Sequence, residues 1–180
     1  MTDTDLAYAL TWLADITDTA PPAVTPLQAA LFYAGLGWPV LPLEPGGKRP
    51  LGGLVPNGLD DATTDPETIA AWWASAPAAN VGLRTGIAFD AIDLDVAKGS
   101  DGIASFWQLC EDTGQRPELL GAAVTPTGGR HLLINPTGRG NAVGIRPGVD
   151  MRGARGYIVA APSVIDGRAY TWVPGVGVAA

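Results

Sequence analysis

The run Ala91-Ile92-Asp93-Leu94-Asp95-Val96 constrains the fold more than any other part of this chain. Its apolar residues read as β-strand, yet two acids are set among them. Side chains of a strand alternate between faces, so Asp93 and Asp95, two apart, share one face. A charge in apolar surroundings is costly unless something pairs with it. Two neighbouring carboxylates also repel each other unless a cation sits between them. Mg²⁺ or Mn²⁺ held together with substrate phosphates is the usual resolution. The only histidine, in Thr125-Pro126-Thr127-Gly128-Gly129-Arg130-His131-Leu132-Leu133-Ile134, and a third acid, in Gly148-Val149-Asp150-Met151-Arg152-Gly153, are embedded in the same way. Together these residues point to a phosphoryl-transfer site.

Other chemistries are excluded by what the sequence lacks. There is no Gly-x-x-x-x-Gly-Lys-Ser/Thr run, hence no P-loop. Gly138-Arg139-Gly140 with Gly144 has one residue too many for a dinucleotide fingerprint. A sole histidine cannot make a His-x-x-x-His zinc site or the paired histidines of rolling-circle nickases. Ala97 and Lys98 stand where a calcium loop starting at Asp93 needs a ligand and a glycine. No Gly-x-Ser-x-Gly elbow accompanies His131. With Cys110 alone, an internal disulfide and a Cys-rich zinc site are both excluded. Cys110, near Phe106, Trp107 and Leu109, reads as a packed thiol on a helix.

Composition adds a frame. The 180 residues suffice for one domain, and 47% hydrophobic with 16% charged residues is a globular balance. No run approaches a membrane span and no basic segment precedes an apolar one at the N-terminus, so a cytoplasmic protein is expected. The net charge of −7 is unevenly spread. Residues 1–70 carry nine acids against Lys48 and Arg49, whereas Arg130, Arg139, Arg146, Arg152 and Arg155 crowd around His131 and Asp150. Such a basic patch suits a site that grips phosphates but holds long DNA weakly; a solvated arginine face is the alternative.

Along the chain, Thr4 to Ala14 reads as an amphipathic helix followed by Ala20-Pro21-Pro22. Thr25-Pro26 opens a second helix that Gly35 or Gly37 closes. Trp38–Leu43 reads as a strand at an edge or bulge, given Pro39 and Pro42. A long glycine-rich loop, 44–62, follows, of a length more often functional than idle. Asp65-Pro66 starts a helix to about Ala76, carrying Trp72-Trp73. The pair reads as packing, with base stacking the alternative. Strands are expected at Asn80–Arg84 and Ile87–Val96, and a helix capped by Ser100 or Asp101 at about Gly102–Asp112. Further strands are expected at 122–127, 130–135, 143–151, 156–161 and 168–173. Helices early and strands late argue an α+β fold with one mixed or antiparallel sheet.

At these residues the chain resembles the catalytic domain of bifunctional DNA primase-polymerases, in the archaeo-eukaryotic primase superfamily. That group has an Asp-x-Asp/Glu on a strand, a histidine after a small-residue turn and a later Asp. Here they stand in order as Asp93-Leu94-Asp95, Thr127-Gly128-Gly129-Arg130-His131 and Val149-Asp150. Gly37-Trp38-Pro39-Val40-Leu41-Pro42 with Lys48-Arg49-Pro50 is similar to the opening strand and lysine loop. Asn80-Val81-Gly82-Leu83-Arg84-Thr85-Gly86 and Gly156-Tyr157-Ile158-Val159-Ala160-Ala161-Pro162-Ser163 resemble two further stretches. The likeness runs from about Ala29 to Trp172.

The resemblance implies one catalytic domain over 1–180: a helical, Pro-rich lead-in to residue 24, then a core over 25–175. That core would have a helical N-terminal half and an RRM-like catalytic half. It implies Asp93, Asp95 and Asp150 as ligands of two Mg²⁺ or Mn²⁺ ions, with His131 contacting the triphosphate rather than metal. Zinc is not expected. Gly128 and Gly129 would let the backbone approach phosphate with amides free to donate. Lys48, Arg84, Thr127, Arg130 and Arg152 are implied nucleotide contacts, Lys48 and Arg152 foremost, with Ser163 and Tyr157 weaker. The implied activity is primer synthesis or strand extension from nucleoside triphosphates on single-stranded DNA, in replication of a phage, plasmid or mobile element. A helicase or accessory domain, in the same protein or in trans, would assist. The alternatives are a nucleotide- or DNA-binding module that needs partner domains, and a metal-dependent nuclease.

Overall fold

A computed structural model of the protein describes residues 24–96 and 99–176. The expected helix at Thr4–Ala14 and its proline-rich sequel lie outside the described residues. Three α-helices occur among these residues, each started by a side chain that satisfies an orphan amide. In α1 (Pro26–Gly35), Thr25 Oγ1 accepts from the Gln28 amide at 3.2 Å while Gln28 Oε1 accepts from the Thr25 amide at 2.9 Å, a reciprocal cap. α2 (Pro66–Ser75) is capped by Asp65, which accepts from the Thr68 amide at 2.9 Å. α3 (Gly102–Thr113) is capped by Asp101 at 3.0 Å from the Ala104 amide. A 3-10 turn, Gly58–Asp61, interrupts the long loop.

The strands are β1 (Val40–Leu43), β2 (Asn80–Arg84), β3 (Asp90–Leu94), β4 (Leu119–Val124), β5 (Arg130–Ile134), β6 (Ala142–Arg146), β7 (Val149–Arg152), β8 (Tyr157–Ala160), β9 (Val164–Ile165), β10 (Arg168–Ala169) and β11 (Thr171–Trp172). The α+β class stands, with every strand pair antiparallel. The expectation of one sheet does not. β1-β2-β8 form a three-stranded sheet, β11-β4-β5-β3-β7-β6 a six-stranded one, and β9-β10 a small hairpin. The N-terminal half is therefore not simply helical, since β1 and β2 pair with a strand from the far end of the chain.

The division is made where two connections cross. Between β2 and β3, Thr85 donates its hydroxyl to Gly153 O at 2.7 Å and its amide to Gly156 O at 2.9 Å. Those acceptors lie between β7 and β8. A Cβ on Gly86 would stand 2.3 Å from Ala154 Cα, so a side chain there would force the crossing apart. At this point each segment leaves one sheet for the other. The expected strand 143–151 is likewise two strands, because Pro147-Gly148 turns the chain back between β6 and β7. The expected strand 87–96 is confined to 90–94, because a turn precedes it in which the Gly86 amide donates to Phe89 O at 2.8 Å.

α1 and α2 cover one face of the smaller sheet, where Trp38, Trp73, Phe89 and Leu83 are buried together. Trp72 and Trp73 are both buried, and Trp73 Nε1 donates to Ala79 O at 3.0 Å, so the pair is packing and offers no stacking platform. α3 places Phe106 and the buried Cys110 against Leu94, Leu132 and Val149. That leaves the opposite face of β3, β5 and β7, with Asp93, to a different use.

Candidate active site

The three dispersed polar motifs become one row. β3 lies between β5 and β7, with Asp93 directly opposite His131 on one side and Asp150 on the other. Directly opposed residues of antiparallel strands project from the same face within about 5.5 Å between Cα atoms. Alternation then explains why Leu94 packs under α3 while Asp93 faces away from it. In front of the row is a cavity of about 320 Å³, lined among others by Lys48, Asp93, His131, Arg152, Tyr157 and Tyr170.

The electrostatics of the row are those of partial burial. Asp93 Oδ1 lies 3.5 Å from His131 Nε2, and Asp93 Oδ2 lies 3.5 Å from Arg152 Nη2. Arg152 Nη2 also meets Asp150 Oδ2 at 3.0 Å, and Asp150 Oδ1 accepts the Gly144 amide at 2.8 Å. Burial pushes the Asp93 carboxyl above its ordinary range, although the Arg152 charge opposes that rise. Burial, with the positive charges of Lys48 and Arg152, pulls His131 down to about 4. The His131–Asp93 contact is therefore not an ion pair at neutral pH, short as it is. Nδ1 of His131 is buried without a hydrogen-bond partner of regular geometry, although the Val159 backbone lies close enough to favour its protonated form. The ring of Tyr170 lies 5.6 Å from that of His131, and its hydroxyl is pushed up to about 12 by burial and by the charges of Asp93 and Asp95.

Of the residues singled out in the sequence, Asp93, His131, Asp150, Arg152 and Lys48 are brought together. Asp95 stands one residue past the end of β3 and is exposed, with its charge still felt by His131 and Tyr170. Among the described residues no group of three or more His, Cys, Asp or Glu side chains is gathered as a ready-made metal cage; the guanidinium of Arg152 bridges two of the acids instead.

Others have structural duties. Arg84 donates to Leu59 O at 3.1 Å and pairs with Asp60 at 3.5 Å, bracing the 3-10 turn. Ser163, 1% exposed, exchanges hydrogen bonds with the backbone of Val81, locking β2 to the turn after β8. Arg130 curls onto the carbonyls of Gly128 and Gly129. The Thr127 hydroxyl meets that of Thr125 at 3.2 Å. The Gly128 amide is not free to donate outward, since it bonds to Thr125 O at 2.9 Å. Gly129 has a packing reason: a Cβ there would lie 2.3 Å from Leu94 O. The arginine cluster also disperses. Arg146 pairs with Asp112 on α3 at 3.1 Å, and only Arg152 and Arg155 of the five line the cavity.

Sequence reasoning missed Tyr170, Asn141 and the role of Asp90. Asp90, fully buried, accepts from the amide and hydroxyl of Thr137 at 2.7 and 2.6 Å and so holds the loop after β5. Asn141 lies at the end of that loop, accepting from the Gly153 amide at 3.0 Å beside the cavity. Tyr157 fixes the lysine loop, its hydroxyl donating to Lys48 O at 3.0 Å. No local signal marks Tyr170, which sits in a run that reads as ordinary strand.

No curated protein matches the chain. The sequence profile for bifunctional DNA primase/polymerase, N-terminal, matches residues 30–180, which takes in the lysine loop, both sheets and the whole row of Asp93, His131 and Asp150. A match over most of the length places the chain in the bifunctional DNA primase/polymerase family, as its N-terminal domain.

Proposed function

We propose that this domain is a metal-dependent nucleotidyltransferase that joins nucleotides on a single-stranded DNA template, the cavity in front of β3 receiving the nucleoside triphosphate. The observation that carries this reading is the register that sets His131 and Asp150 on either side of Asp93, with Asp93 and His131 lining a cavity bordered by Lys48, Arg152 and Arg155. We take the six-stranded sheet backed by α3 as the RRM-like half.

The residues suit Mg²⁺ or Mn²⁺ by their chemistry. Asp93 is a desolvated carboxylate beside a second one, and the arginine already bridging them reveals a local demand for positive charge. Hard carboxylate oxygens are the preferred donors of these cations. Asp93 and Asp150, with Asp95 from just past the end of β3, would hold them. Bound there, such ions would supply Lewis-acid stabilisation of phosphoryl oxygens in an in-line displacement. The protein's own groups account for binding and orientation. Lys48, Arg152 and Arg155 neutralise phosphate charge at the cavity wall. His131, kept neutral by burial, offers one N–H as a donor without adding charge. Tyr157 positions Lys48 by its backbone, and Tyr170 closes the far side of the imidazole.

Because the remaining arginines are dispersed or paired, the domain grips a long template weakly. On this reading a helicase or accessory domain, in cis or in trans, supplies that grip in the replication of a mobile element. The test is incorporation of labelled ribo- and deoxyribonucleotides on single-stranded template with Mg²⁺ or Mn²⁺, with and without primer. Incorporation lost in both Asp93→Asn and Asp150→Asn is the expected outcome. Activity near wild type in either variant would refute the assignment. Cleavage of template without incorporation would favour a nuclease.

A further inference from the structure

Arg152 stands between the two acids that the proposed function assigns to divalent cations. The geometry follows from β7, where Asp150 and Arg152 are two apart and so share the face on which Asp93 opposes Asp150. Each carboxylate has one oxygen turned to a fixed neighbour: Asp150 Oδ1 to the Gly144 amide at 2.8 Å, Asp93 Oδ1 to His131 Nε2 at 3.5 Å. The other oxygen of each faces one atom, Nη2 of Arg152, at 3.0 and 3.5 Å. A cation arriving between both acids therefore competes for the oxygens that Arg152 holds. The same guanidinium lines the cavity, so a phosphate entering there meets it without backbone movement. A planar fork of donors satisfies carboxylate and phosphate about equally well.

We propose that Arg152 is a resident counter-cation: it holds Asp93 and Asp150 together when no metal is bound, competes with divalent metal for their Oδ2 atoms, and passes to the triphosphate when metal replaces it. This rests on the metal site of the proposed function. Its consequence is cooperativity. Metal alone binds weakly because it must displace Arg152, and triphosphate alone binds weakly because Arg152 is engaged. Together each releases what the other needs, so entry of the metal–nucleotide complex is favoured over stepwise loading.

The experiment is a Mn²⁺ titration followed by electron paramagnetic resonance, with and without a non-hydrolysable nucleoside triphosphate, on wild type, R152M and R152K. Without nucleotide, R152M is expected to bind Mn²⁺ about tenfold more tightly, within the usual range of coupling between two ligands. With nucleotide the advantage disappears, because the variant has lost a phosphate partner. R152K, whose compact and strongly hydrated ammonium on a shorter reach holds the two acids less firmly than the guanidinium, should fall between. An arginine with a merely structural role would show the opposite sign, since its loss loosens the pair and weakens metal binding. Unchanged or weaker Mn²⁺ binding in folded R152M overturns the proposal, as does R152K no tighter than wild type should R152M fail to fold. D93N separates the two layers. If D93N abolishes Mn²⁺ binding but the Arg152 variants do not tighten it, only the role of Arg152 falls. If wild type and D93N bind alike, the metal site falls and the proposal with it.

Discussion

Lowering the pH should destabilise the metal-free protein through His131 in particular. The imidazole is buried in the row between Asp93 and Tyr170, and burial with Lys48 and Arg152 nearby pulls it from its ordinary 6.5 to about 4. The sign follows from proton counting. Between pH 6.5 and 4 the unfolded chain takes up a proton at this residue and the folded chain does not, so stability falls as pH falls. Carried from pH 7 to 4, the difference is on the order of 3 kcal/mol, a large share of a typical folding free energy. Asp93, whose carboxyl is raised by burial, acts in the opposite sense by favouring the folded state in acid. The assay therefore compares wild type with His131→Gln, in which Asp93 and the other acids still titrate. Urea unfolding at half-unit steps from pH 7 to 4 should show the wild type losing about 3 kcal/mol more than the variant. Parallel pH profiles would refute the reasoning, because they would mean that His131 charges freely in the folded state.

Asp93→Asn should abolish incorporation yet melt above wild type at pH 7 without metal, since it removes a carboxylate that burial disfavours; calorimetry would test it, and a lower melting point would contradict it. Gly129→Ala should cost about 2 kcal/mol or more in denaturant unfolding, because the new Cβ would lie 2.3 Å from Leu94 O. Tyr157→Phe should lose roughly 1 kcal/mol of stability and weaken nucleotide binding, by releasing the Lys48 backbone; calorimetric titration with triphosphate reads the second effect. Single-stranded DNA should bind weakly and fade with salt at a slope near ~0.7 per phosphate contact. Tight, salt-insensitive binding would contradict this, and the buried Trp72 and Trp73 could not explain it.

What could be read from the sequence alone was local. Thr25-Pro26, Asp65-Pro66 and Asp101 mark helix starts because a cap and its amide lie within three residues of each other. Asp93 could be placed on one face because strand alternation needs only its neighbours. The acids and His131 were visible as candidates because charge in apolar sequence demands a partner wherever it ends up, whereas Lys48 and Arg152 stood out through the family resemblance of their stretches. Which partner was a tertiary decision. Nothing within a few residues of Arg84 or Ser163 says that one braces Asp60 and the other the backbone of Val81, 82 positions away. Tyr170 reaches His131 from 39 positions further along the chain, where its amide bonds to Ser163 O and the next strand pairs with β4. The split into two sheets was equally hidden, since it depends on Thr85 meeting Gly153 across 68 residues. Caps and alternation are short-range and energetically independent of the rest. Register and sheet membership are settled by competition among distant pairings for burial, and only the folded chain resolves that competition.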